Sequence, residues 1–254
     1  MNNNLKMRLK SRETLIGTLV TIPSTEVAEI LSLAGFDYLW IELEHSAMDF
    51  DDAQRLIQAV GGRCPCVIRV PENKEVWIKK ALDTGCNGIV IPQVKTAEEA
   101  RKAVEWCLYP PEGKRSVGVS RAHEYGMKFQ DYVSRINKEL VIILQAEHIE
   151  SVQNIASITA VPGIDVVFIG PFDLSGSMNL LGQITHPHVQ NAIKTIKQQC
   201  SISNIPAGIF TIDTDSAKKA IADGFSFIAL NMDAAFLWNY SQSILKDIRN
   251  SAQK

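Results

Sequence analysis

The residues of this chain that could carry acid–base or metal chemistry recur in one setting: a short apolar run ends, and a polar or charged residue follows. YLWIE leads into Leu43-Glu44-His45, VIRV carries Arg69, VIILQAEH carries Gln145 and Glu147, and VVFIGPFD delivers Asp173 into a loop rich in small residues. Two further runs end at Pro92-Gln93 and near Asn231 and Asp233. Histidine is the side chain best suited to moving a proton near neutrality, which makes His45 a candidate base. Glu147 and Asp173, with Gln145 beside them, suit a hard divalent cation that keeps several positions open. An arginine inside VIRVP must be paired, or solvated at a rim, because burying it alone is costly.

Each of these residues has a structural alternative. His45 could cap the helix that follows, Arg69 could be an ion-pair partner, and Glu147 and Asp173 could be helix N-terminal acids stabilised by the dipole. Asp51-Asp52 reads as a helix opening. Asp83 sits near a helix end, which is unfavourable for an acid unless something pairs with it.

The elements that position these residues alternate along the whole chain. Apolar runs at 15–21, 38–42, 67–70, 88–92, 141–146, 166–170, 207–210 and 227–230 read as strands. Segments between them, up to Gly35 and at 51–60, 76–82, 97–106, 151–159, 188–200 and 216–222, have helical spacing, and a last helix follows Asp233. About eight strand–helix units with no Gly/Ser/Pro linker indicate one parallel sheet closed into a (β/α)₈ TIM barrel, a single domain over 1–254 with a polar leader at about 1–13. A doubly wound sheet is the alternative, but no dinucleotide or P-loop glycine fingerprint follows any strand. The interval 109–140 is the irregular part. In such a barrel the C-terminal strand ends form the site, so the candidates above converge on one rim.

Composition excludes several classes. With 46% hydrophobic and 21% charged residues and a net charge of -2, the chain is not suited to nucleic acid or an anionic membrane as main partner. It has no apolar run long enough for a bilayer and no signal-peptide core, so a cytoplasmic protein is expected. The five cysteines are scattered, and Cys64-Pro65-Cys66 lacks the C-x-x-C spacing of redox or zinc motifs, so they read as buried thiols. His186-Pro187-His188 reads as the start of a helix rather than a ligand pair.

Taken together, IELEHS (41–46), VIRVP (67–71), ALDTGCNGIVIPQV (81–94), YPPEGKRSVG (109–118), LQAE (144–147), VFIGPFDLSGSM (167–178) and His186-Pro187 resemble the metal-dependent class II pyruvate aldolases, the 4-hydroxy-2-oxoheptanedioate and 2-keto-3-deoxy-sugar-acid aldolase group. The resemblance implies a (β/α)₈ barrel, often a hexamer, with the last helix exchanged between subunits. It implies that Glu147 and Asp173 bind Mg²⁺, Mn²⁺ or Co²⁺ and that the ion is chelated by a 2-oxo acid substrate, pyruvate. It further implies that Gln145 and the backbone at Phe172-Asp173 hold the substrate, and that His45 is the base. Asp83 would raise the basicity of His45, and Arg69 would stabilise an enolate; no organic cofactor and no Schiff-base lysine are needed. The chain departs from the group at Glu42, where Asp is common, at Ser116 and Asn179 in place of glycines, and at Phe172 in place of a small residue. A lyase acting on a CoA thioester and a non-catalytic ligand-binding barrel are the alternatives.

Overall fold

The computed structural model describes residues 4–251. Eight parallel strands close into a barrel in sequence order: β1 (Leu15–Val20), β2 (Tyr38–Glu42), β3 (Cys66–Arg69), β4 (Gly88–Ile91), β5 (Val141–Ala146), β6 (Val166–Ile169), β7 (Ala207–Thr211) and β8 (Phe227–Met232), with β8 pairing back onto β1. The helices are α1 (Leu5–Lys10), α2 (Thr25–Leu33), α3 (Phe50–Val60), α4 (Glu75–Asp83), α5 (Ala97–Cys107), α6 (Phe129–Glu139), α7 (Ile149–Gln153), α8 (Ile155–Thr159), α9 (Pro171–Ser177), α10 (Pro187–Ile202), α11 (Thr214–Ala222) and α12 (Asp233–Ser251). The expected TIM barrel is therefore the observed fold.

Local signals set the helix ends. Asp49 and Asp52 form a capping box at the start of α3, and Gly61 closes it in the left-handed region at φ 60°. Thr96 and Glu99 do the same for α5. His186 caps α10 and Pro187 occupies its first turn, so this histidine pair does open a helix.

The core has two shells. Outward strand residues such as Leu39, Ile41, Ile68, Ile89, Ile142 and Ile169 pack under the helices. Inward residues form a separate column inside the barrel, including Leu15, Tyr38, Trp40, Val67, Ile143, Phe168 and Phe227. Tyr38 stacks on Phe227 at 4.2 Å and Trp40 leans on Phe168 at 4.7 Å between ring centroids. A Cβ at Gly17 would stand 2.4 Å from the Tyr38 ring, so only glycine leaves room for that stack.

Three local differences from the sequence expectations stand out. Part of the polar leader is helical: α1 inserts Leu5 and Leu9 into the inner column, so its two leucines plug the barrel end opposite the site. The irregular interval contains a 3₁₀ segment, Arg121–Gly126, and then α6, whose Tyr132 and Ile136 are buried one turn apart. Asp173 does not lie in a loop; it occupies the first turn of the short helix α9, behind Pro171.

Candidate active site

Side chains alternate across a strand, so each inward apolar column ends in one inward residue at the rim. On β2 the column is Tyr38, Trp40, Glu42; on β3 it is Val67, Arg69; on β5 it is Val141, Ile143, Gln145, with Glu147 two residues beyond. The pairing register sets Glu42 directly beside Arg69. Glu42, Arg69, Gln145, His45, Phe172 and Asp173 all line one pocket of about 250 Å³ at this end.

Glu42 is the hub of the first half of the site. Only 1% exposed, it accepts from Arg69 Nε at 2.6 Å and Trp40 Nε1 at 3.2 Å. Its second oxygen accepts from the backbone amides of Glu44 at 2.8 Å and His45 at 2.9 Å. One carboxylate thus orients the guanidinium and folds the loop that carries the histidine. A glutamate, rather than the shorter aspartate common at this position, makes all four bonds. Arg69 Nη1 lies 3.4 Å from Gln145 Oε1 and 3.2 Å from Glu44 Oε2. Burial works against the Arg69 charge, but Glu42, Glu44 and Glu147 outweigh it and raise its pKa further.

Glu147 is the hub of the second half. One oxygen accepts from the Gln93 amide at 3.0 Å, and the other accepts from Gln145 Nε2. Gln93 donates from a left-handed backbone at φ 54°, strain of the kind that gathers at functional sites. Gly170 passes so close that a Cβ there would stand 2.6 Å from Glu147 Oε2. At 2% exposed, Glu147 has its pKa pushed up to about 8, first by burial and then by the charges of Glu44 and Asp173. Glu44 is shifted upward too, by burial first and by Glu42 and Asp173, against the pull of Arg69 and His45. Glu44 Oε2 accepts no hydrogen bond among the described residues.

Carboxylates therefore outnumber the one guanidinium that faces them, and the donor set is all oxygen. Both features fit a hard divalent cation. Among the described residues no group of three or more His, Cys, Asp or Glu is arranged to hold a metal, so Glu147 and Asp173 would be two ligands with further positions left to substrate and water.

The remaining candidates separate. His45 stands at the mouth with its side chain 65% exposed, its Nε2 3.7 Å from Glu44 Oε2. Phe172, 42% exposed, walls the mouth beside Asp173. Asp83 is not brought to His45 within the chain. It ends α4, which runs back from the rim, and there it accepts from Arg115 Nη2 at 2.9 Å. That pairing answers the unfavourable dipole at a helix C-terminus.

Sequence reasoning undervalued Glu42, Glu44 and Gln93. The spacing Trp40-x-Glu42 would have revealed Glu42 as an inward residue above a buried indole. It also passed over the other arc of the pocket, where Leu19 on β1, Phe210 on β7 and Met232 on β8 face inward. Asp233 closes that arc structurally: nearly buried, it accepts from the amides of Thr21 and Ile22 and from the Thr21 hydroxyl at 2.6–2.9 Å.

Known proteins resemble this chain in sequence and fold. Residues 16–239 match the family described as HpcH/HpaI aldolase/citrate lyase. The chain is 40% identical over 95% of its length, and 95% of the relative's, to a hydroxypyruvate/pyruvate aldolase of Roseobacter denitrificans. It is 36% identical, with the same 95% coverage of both chains, to a 5-keto-4-deoxy-D-glucarate aldolase of Shigella dysenteriae. The crystal structure of a family protein from Burkholderia cenocepacia superposes with a TM-score of 0.94 at 32% identity, covering 98% of this chain and all of that one. A closed barrel whose inward columns end in these carboxylates, and a match running through nearly the whole chain, place it in the HpcH/HpaI aldolase/citrate lyase family.

Proposed function

We propose that this chain, a carbon–carbon lyase, reversibly cleaves a 4-hydroxy-2-oxo acid to pyruvate and an aldehyde, with Glu147 and Asp173 holding Mg²⁺, Mn²⁺ or Co²⁺. The observation that carries the reading is the surplus of carboxylates around Arg69: Glu147, buried beside Glu44 and Asp173, has its pKa pushed up to about 8, by burial first and then by those neighbours. Gln93 and Gln145 hold this carboxyl group in place but bring no cation to it. A bound divalent cation would supply Lewis-acid polarisation of the 2-oxo group.

The chain's own residues supply the rest. His45 Nε2, exposed at the mouth, takes the proton of the C4 hydroxyl. As the C3–C4 bond breaks, the aldehyde forms at C4 and the electron pair stays on C3 of the departing pyruvate unit as an enolate. Arg69, fixed by Glu42 and packed 5.7 Å over the Trp40 ring, presents its Nη groups to the developing negative charge. Gln145 orients the oxo acid through the bonds it shares with Arg69 and Glu147. A proton returned to C3 then completes pyruvate.

Asp83 keeps a part in this scheme only across a subunit boundary, where that end of a second copy faces the rim. This agrees with a homo-oligomer, a hexamer by resemblance. In support of assembly, α12 leaves Leu237, Trp238, Tyr240 and Ile248 each more than half exposed. Mixing Asp83→Asn subunits with His45→Ala subunits should then regenerate some intact sites and recover activity that neither variant has alone.

The direct test is pyruvate release from a panel of 4-hydroxy-2-oxo acids with and without chelator, beside a malyl- or citryl-type CoA thioester. Metal-dependent release from the free acids is expected. Turnover of the thioester alone would transfer the chain to the CoA-lyase branch, and no turnover at all would sink the assignment.

A further inference from the structure

The pocket is chemically divided. Its β2–β5 arc carries Glu42, Arg69 and Gln145, bonded in a chain that runs on from Gln145 to Glu147. Its β7–β8–β1 arc presents Phe210, Met232 and Leu19, and Phe172 closes the mouth between the arcs. Resting on the aldolase reading, we infer that the apolar arc receives the aldehyde half of the substrate and that this aldehyde is compact and apolar, an alkyl or aryl aldehyde rather than a polyhydroxylated or carboxylated one.

Three observations carry this. The acid and oxo groups of the substrate match only the polar arc, so the fourth carbon and its substituent are left to the other side. The polar groups near the apolar arc are already engaged. Thr21 donates both its amide and its hydroxyl to Asp233. Asn231 donates its amide group to the Ile212 carbonyl at 2.8 Å and accepts from the Met232 amide at 2.9 Å. A substrate hydroxyl placed here would give up water for the side chains of Phe210, Met232 and Leu19, which offer it no partner. Finally, the floor of the pocket beneath the rim is apolar as well, with Trp40 leaning on Phe168 at 4.7 Å between ring centroids.

In the synthetic direction the step is balanced. Pyruvate loses a methyl proton, its C3 forms a bond to the aldehyde carbon, and the resulting alkoxide takes up one proton to give the 4-hydroxy-2-oxo acid.

The experiment uses the full chain with Mg²⁺ or Mn²⁺ and two readouts. Deuterium uptake into the methyl group of pyruvate, followed by NMR without any aldehyde, reports enolisation. Addition of pyruvate to butanal and benzaldehyde, against glyceraldehyde and succinic semialdehyde, reports the acceptor, with kcat/KM corrected for the unhydrated fraction of each aldehyde. The expected result is a preference for butanal over glyceraldehyde of about tenfold or more, narrowed several-fold in Met232→Gln and Leu19→Asn. Exchange with no such preference, or a ratio that neither variant moves, overturns the apolar-acceptor assignment and leaves the aldolase reading standing. Absence of both exchange and addition overturns the two together.

Discussion

Arg69 and Arg115 are both buried, and both pair with a carboxylate, yet they sit in opposite electrostatic settings. Arg115 lies between Tyr109 and Tyr132, 4.6 and 5.8 Å from their ring centres, and bonds a single, partly exposed Asp83. Its charge is matched once. Arg69 bonds a fully buried Glu42 and also faces Glu44 and Glu147, with Asp173 beyond. There the negative charge exceeds the positive. A matched pair ties two elements together, whereas a surplus leaves a charge for something else to neutralise. This difference in charge balance fits a structural tie at Arg115 and the proposed enolate-stabilising role at Arg69, where sequence alone shows only two arginines.

The largest expected effect of breaking the comparison is at Arg69. Arg69→Ala should lower kcat/KM for pyruvate release by about 10²–10³, and it strands Glu42 as a buried lone charge, with a stability loss of about 3–5 kcal/mol. Replacing both members, Arg69→Met with Glu42→Met, should restore much of the stability in urea titrations without restoring activity. Recovery of turnover in the double variant would show that Arg69 is a structural tie like Arg115.

Next in size is Glu147. Its folded pKa lies above the ordinary carboxylate value, so the folded protein holds that proton more tightly than the unfolded chain does. Metal-free protein is thus most favoured at low pH and loses stability as pH rises from the usual carboxylate range through about 8. Glu147→Gln should melt at a higher temperature than the metal-free parent at pH 8, with the gap closing towards pH 4. Metal binding to the parent should strengthen as pH rises to about 8 and release close to one proton below it, readable by titration calorimetry in buffers of different ionisation enthalpy. The same variant should lose most metal affinity with its fold retained; unchanged affinity would remove Glu147 from the ligand set.

Glu42→Gln is gentler. It keeps the shape but weakens the hold on Arg69 and the His45 loop, and a loss of about 10- to 100-fold in activity is expected. The loss should fall on kcat more than on stability, with partial rescue in Glu42→Asp. The smallest effect should come from Arg115→Met. A methionine still packs between the tyrosines and Asp83 can reach water, so about 1–2 kcal/mol of stability is at stake.

Much of this site was legible before folding was considered, because barrel architecture converts strand ends into a list of rim residues. That list names Glu147, Asp173, Gln145, Arg69 and His45, and the structure brings the last four to one pocket with Glu147 bonded to Gln145. The motif around Asp83 does not report that α4 carries it away from His45 within the chain, to a pairing with Arg115. The helix α6 was missed although Tyr132 and Ile136 are one turn apart, because an irregular stretch around Pro110-Pro111 hid where regular spacing resumed.

By itself the sequence determined the alternation of strands and helices, hence the parallel barrel and the end at which chemistry collects. Apolar periodicity and capping are local properties, readable residue by residue. Only the tertiary structure decided which acids share a field. Glu42 and Arg69 are 27 residues apart in sequence and Gln93 and Glu147 are 54 apart, and nothing local reports their contact. Likewise, only closure of the barrel completes the apolar arc across from the charged one, because it sets β1 beside β8 from the other end of the chain.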